Sequence, residues 1–131
     1  MKLLSVTIPS YNSQEYMEKA INSALIGGDD IEILVVDDGS SDNTLDIALK
    51  YEKKYPGIVR AIHKENGGHG SAVNTGLANA TGLYFKVLDS DDWFDKESLV
   101  KVLDFLRKIV TDSKQLDMLI SNYVYEKPSA H

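Results

Sequence analysis

Residues 31–36 read Ile-Glu-Ile-Leu-Val-Val, β-branched or leucine at all but one position, and run straight into Asp-Asp-Gly-Ser-Ser-Asp-Asn. A run without in–out alternation predicts a strand buried on both faces of a parallel sheet. Parallel neighbours need long crossover connections, and the flanking sequence supplies them. Leu3–Ile8 is a short β-rich run closed by Pro9, Ser10 and Asn12. Tyr16, Met17, Ala20, Ile21, Ala24 and Leu25 then recur every three to four positions, a helix that Asn12 and Glu15 are placed to cap and that Gly27 and Gly28 stop. Leu45, Ala48 and Leu49 open a second helix that ends before Pro56. Ile58–Ile62 predicts a third strand, a small-residue helix passes through Ala72, Leu77 and Ala80, and Leu83–Leu88 predicts a fourth strand. Glu97–Val110 carries Leu99, Leu103, Leu106 and Val110 on one helical face, and Leu116–Val124 predicts a fifth strand. The pattern predicts one α/β domain over residues 1–131, a mostly parallel sheet with helices on both faces.

The unusual residues sit where such a sheet binds ligands. Tyr11-Asn12 follows the first strand, Asp37-Asp38-Gly39-Ser40 the second, Gly67-Gly68-His69-Gly70 the third, and Asp89-Ser90-Asp91-Asp92 the fourth. All four segments leave carboxyl ends, which share one rim in a parallel sheet. Each also has an ordinary explanation. Asp-Gly and Ser-Asp-Asn are common turn formers, Gly67, Gly68 and Gly70 suit a tight turn, and His63 and His69 stand without partners at metal-ligand spacing. Tyr11 fits a core, Lys50–Lys54 a solvated helix face, and Trp93 and Phe94 packing beneath the acidic loop. The cluster at Asp89–Asp92 resists that treatment, because crowded carboxylates repel unless a cation lies among them. A hard divalent ion takes oxygen ligands, and magnesium is commonly held by one or two carboxylates completed by substrate phosphates.

Composition limits the partners. The formal charge of −6 argues against nucleic acid and anionic membranes, so an anionic ligand has to be held locally. With no cysteine there are no disulfides, thiolate sites or Cys nucleophile. No apolar run approaches the roughly 20 residues of a membrane span, and the N-terminal run is too short for a signal peptide, so a soluble, cytoplasmic chain is expected. Membrane association through a further part of the protein or through a bound substrate is compatible with this.

The segments VTIPSYNSQEYMEKAINSAL, IEILVVDDGSSDNT, ENGGHGSAVNTGLANATGLYFKVLDSDDWF and DMLISNYVY together resemble the family 2 glycosyltransferases, inverting enzymes with the Rossmann-like GT-A fold. The resemblance runs along essentially the whole chain. It implies metal-dependent transfer of a sugar from a nucleotide-diphosphate donor, a UDP-sugar by expectation, to an acceptor hydroxyl on a saccharide or lipid-linked molecule. Pro9 and Tyr11 would line the base pocket, Asp38 would accept from a uracil-like imide, and Asp37 would support that loop. Gly67, Gly70 and Asn74 would shape the floor near the ribose and diphosphate. Asp89, with Ser90 beside it, would contact ribose or sugar, and Asp91, together with Asp89, would hold Mg2+ or Mn2+ against the diphosphate.

Two departures accompany the resemblance. Val73 stands where the family often has an arginine, and no residue here matches the family's acidic general base, which is expected beyond residue 131. A donor-binding N-terminal portion, weak or inactive in transfer on its own, is therefore the expectation, with oligomerisation left open. A receiver domain of two-component signalling has a similar length and also gathers aspartates, but its paired acids should follow strand one, where Pro9–Asn12 stand. A sugar-1-phosphate nucleotidyltransferase should carry a basic glycine loop there, which PSYNSQ lacks. A noncatalytic nucleotide-sugar-binding module is the nearest alternative.

Overall fold

The structure, a computed structural model, describes residues 2–112. Four strands, β1 (Leu4–Ser10), β2 (Ile31–Asp38), β3 (Val59–Lys64) and β4 (Tyr84–Val87), alternate with α1 (Met17–Leu25), α2 (Thr44–Lys54), α3 (His69–Asn79) and α4 (Lys96–Asp112). All pairings are parallel and the spatial order is β3-β2-β1-β4. This is the expected parallel α/β architecture. The fifth strand expected at Leu116–Val124 lies outside the described residues.

Burial explains the hydrophobic run. Every residue of β1 and β2 is buried, whereas the edge strands β3 and β4 are mostly half-buried. Strand side chains alternate between faces. Leu4, Val6, Ile8, Ile31, Ile33 and Val35 face one core with Met17, Ala20, Ile21 and Ala24 of α1 and Leu99, Leu103 and Leu106 of α4. The opposite face mixes Ser5, Thr7 and Glu32 with Leu34 and Val36, and α3 lies against β1 and β2 there. Gly76 permits that approach: a Cβ there would overlap Oγ1 and Cγ2 of Thr7. On the same face Glu32, the one polar member of the run, is 5% exposed. Its carboxylate accepts from Ser5 Oγ at 2.7 Å, Thr81 N–H at 2.9 Å, Thr81 Oγ at 3.0 Å and Arg60 at 3.3 Å. Burial opposes its ionisation, but these bonds outweigh it and hold its pKa below the usual value.

The expected capping pair is not formed. Tyr16 precedes the first turn of α1 and no side chain caps it. Asn12 instead adopts a left-handed backbone (φ 48°), and its Oδ1 accepts the N–H and hydroxyl of Ser41 at 2.8 and 3.3 Å, while its own N–H donates to Ser40 Oγ. Loop-to-loop bonds therefore won over the local cap, tying the end of β1 to the end of β2. The third strand also runs further than Ile62, through His63 and Lys64, because it follows β2 in register to Asp37 and Asp38.

Candidate functional site

The strand order reverses direction at β1: β2 and β3 extend to one side and β4 to the other. Such a switch point opens a crevice beyond the carboxyl ends of the two diverging strands. A cleft of about 250 Å³ lies there, lined by Pro9, Ser10, Tyr11, Ser13, Tyr16, Asp38, His69, Asp89, Ser90 and Asp91. The fold thus brings together six of the residues singled out from sequence: Pro9, Tyr11, Asp38, Asp89, Ser90 and Asp91.

Adjacent aspartates at the end of β2 meet different partners. Asp37 is 1% exposed; its Oδ1 accepts the Ser40 N–H at 3.1 Å and its Oδ2 lies 2.8 Å from His63 Nδ1. It braces the turn from behind and does not line the cleft. Asp38 faces the cleft and is the hub of the glycine segment. Oδ1 accepts from Lys64 Nζ at 3.0 Å and Gly67 N–H at 2.9 Å, and Oδ2 from Gly68 N–H at 2.9 Å. Burial again disfavours the charge, yet the Gly67 and Gly68 amides and the Lys64 ammonium keep its pKa below the ordinary range. Gly67 therefore reaches the site through Asp38. Neither it, nor Gly70, nor the exposed Asn74 lines the cleft.

Across the crevice, Ser90 Oγ lies 2.7 Å from Ser13 Oγ, joining the β4 loop to the β1 loop. His69 Nε2, in the first turn of α3, lies 3.0 Å from Asp89 Oδ1, with both side chains more than half exposed. Phe94, 3% exposed, donates its N–H to Ser23 Oγ, and Lys19 Nζ sits 3.7 Å from the Trp93 ring centroid, so the acidic loop is anchored on α1. Ser10, Ser13, Tyr16 and His69 were not anticipated as lining residues. Tyr16 matched the apolar stripe of α1, but it lies just before the helix and is 45% exposed. His69 carried no ligand-like spacing, because its partner Asp89 is 20 residues away.

Among the described residues, no three His, Asp or Glu side chains converge into a complete metal site. Asp89 and Asp91 nevertheless offer hard oxygen donors on an open cleft wall, which fits a divalent ion that takes one or two protein carboxylates and completes its shell from a phosphorylated ligand.

Fold and cleft define a parallel α/β domain with a polar, acidic cleft at its switch point, and comparison with known proteins identifies it further. The sequence model of glycosyl transferase family 2 matches residues 5–115, and the chain belongs to that family. An uncharacterized glycosyltransferase of Rickettsia felis is 44% identical over 110 residues, covering 82% of this chain and 18% of the relative, so the chain spans under a fifth of that protein's length. The crystal structure of S. aureus TarS in complex with UDP-GlcNAc is 34% identical with a TM-score of 0.69, covering 82% of this chain and 32% of the other. The mannosyltransferase PcManGT from Pyrobaculum calidifontis, in complex with GDP-Man and Mn2+, is 25% identical with a TM-score of 0.69, covering 79% and 32%. The GT-A expectation is met in the described residues, which match these glycosyltransferase folds. No described helix is long and apolar enough to cross a membrane.

Proposed function

We propose that this chain binds a nucleotide diphospho-sugar, with UDP as the nucleotide, and supplies the donor half of a metal-dependent inverting glycosyl transfer to an acceptor hydroxyl. The observation that carries this is the convergence of Pro9, Tyr11, Asp38, Asp89, Ser90 and Asp91 on one cleft between the ends of β1 and β4. Tyr11, half exposed, offers its ring to the base, and Asp38 offers a fixed acceptor to an imide N–H. Asp37 holds the turn that presents Asp38, and the Gly67–Gly70 segment with Asn74 flanks the ribose and diphosphate. Asp91 and Asp89 would hold Mg2+ or Mn2+, which when bound supplies Lewis-acid stabilisation of charge on the departing diphosphate. The nucleotide-sugar complexes of TarS and PcManGT support this reading.

The test is calorimetric titration of UDP with and without Mn2+ into the chain and into Asp91→Asn. Metal-dependent binding, weakened in the variant by at least the roughly ten- to hundredfold that even indirect metal contacts are worth, is expected. Failure of UDP and GDP alike to bind the wild-type chain in saturating Mn2+ would overturn the proposal.

A further inference from the structure

The loop bonds on Asp38 limit what else its carboxylate can accept. An ionised carboxylate has about two acceptor positions per oxygen. Both positions on Oδ1 are taken, by Lys64 Nζ and the Gly67 N–H. On Oδ2 the Gly68 N–H takes one position at 2.9 Å. The second meets only Asn66 Nδ2 at 3.4 Å, and that amide already donates to the Asp38 backbone carbonyl at 3.0 Å. Lys64 Nζ is itself committed, bonding the Glu65 carbonyl at 2.5 Å as well as Asp38, with its side chain 18% exposed.

We propose, building on the reading that a nucleoside diphosphate occupies this cleft, that the clamp of Lys64, Gly67 and Gly68 leaves Asp38 a single acceptor position and so selects uracil over guanine. Uracil presents one ring N–H between two carbonyls, matching one vacant lone pair. Guanine presents its ring N–H beside an amino group, two donors that need an acceptor position on each oxygen. With Oδ1 full, one guanine donor loses water without gaining a partner, which disfavours it. Cytosine turns a ring-nitrogen lone pair toward the carboxylate and is repelled. A carboxylate free of the clamp would receive guanine on both oxygens, so discrimination resides in the clamp more than in Asp38 alone. Lys64 acts as a positioning residue.

The experiment measures the affinities of UDP, GDP and N3-methyl-UDP in saturating Mn2+ for the wild-type chain, Lys64→Met and Asn66→Ala. The wild type should prefer UDP over both other ligands by roughly tenfold or more, the scale of one hydrogen bond to a charged group. Lys64→Met reopens Oδ1, so the UDP-to-GDP preference should shrink severalfold; a purely structural role would weaken both nucleotides and leave their ratio unchanged. Asn66→Ala, which removes a long contact from the position uracil uses, should keep the preference. Equal affinity of the wild type for UDP and either rival ligand, or an unchanged ratio in a Lys64→Met protein that still binds, would overturn the inference while leaving nucleotide binding intact. The N3-methyl probe needs no variant, so the test survives a Lys64→Met chain that does not fold. Absence of all nucleotide binding would instead defeat the donor-site reading itself, and this inference with it.

Discussion

Gly39 sits at φ 73°, in the left-handed region, and a Cβ on it would lie 2.6 Å from the backbone nitrogen of Asn66. Two constraints therefore meet at one residue: a conformation that L side chains resist, and close approach of the glycine segment that clamps Asp38. Gly39→Ala should destabilise the fold by at least about 1–2 kcal/mol, the cost of the left-handed backbone, with the Asn66 contact adding to it. It should also weaken UDP binding by displacing Asn66–Gly68. Urea denaturation read beside nucleotide titration checks both, and a substituted chain with wild-type midpoint and affinity would contradict the account. Neither constraint was legible beyond the Asp-Gly turn itself, because Asn66 is 27 positions away. The split between Asp37 and Asp38 was equally hidden: two neighbouring carboxylates look alike in sequence, and only the pleat sends one to His63 and the other to the cleft.

Elements were far more legible. Apolar runs and three-to-four periodicity placed four strands and four helices, since burial on both faces of a parallel sheet leaves a compositional trace. The Asn12–Glu15 cap was misjudged because a local rule competed with bonds to the β2 loop. How closely α3 seats on the sheet rests on Gly76, which in sequence is one more small residue. Gly76→Ala should overpack Thr7 and cost about 1–3 kcal/mol. Thr7 Oγ1 is buried without a hydrogen-bond partner among the described residues, so Thr7→Ala removes both an unsatisfied polar atom and the two nearest obstructing groups, leaving the Thr7 Cβ close by. The double variant should therefore be less destabilised than the sum of the two single changes, a coupling that a urea double-mutant cycle reads directly. Additivity would mean that α3 shifts as a body and the contact is not limiting.

At the scale of the whole molecule, Glu32, Asp38 and Asp42 link separate parts of the fold through ionised carboxylates. Glu32 joins β1, β2, β3 and the chain before β4, Asp38 joins β2 to the glycine segment, and Asp42 accepts from Thr44 and Gln14. All three are held below their ordinary values of 4.5 for Glu32 and 3.8 for the aspartates, in each case because hydrogen bonds outweigh the opposing effect of burial. Just below those values the unfolded chain binds more protons than the native one, so stability falls as pH falls. The contribution should be intact above about pH 5 and be lost progressively below about pH 4 as the native groups protonate. Urea midpoints taken from pH 7 down to pH 3 should be level and then drop, and Glu32→Gln should flatten the drop. A midpoint unchanged to pH 3 would show that these carboxylates do not govern acid stability.

Sequence alone determined the alternating α/β order, the buried central strands and the placement of polar segments after each strand, because hydrophobic periodicity and turn chemistry are local properties of the chain. It also carried the resemblance to the glycosyltransferase family that the comparisons establish. Tertiary structure decided which of those polar residues meet. The order β3-β2-β1-β4 put the β1 and β4 loops on either side of one crevice, drew Tyr16, Ser13 and His69 into it, and left Gly70 and Asn74 off its wall. It also set the donors around Asp38, since Lys64, Gly67 and Gly68 reach it only once β3 has paired beside β2. Contacts across 20 to 80 residues depend on strand order and register, which no local stretch of sequence encodes.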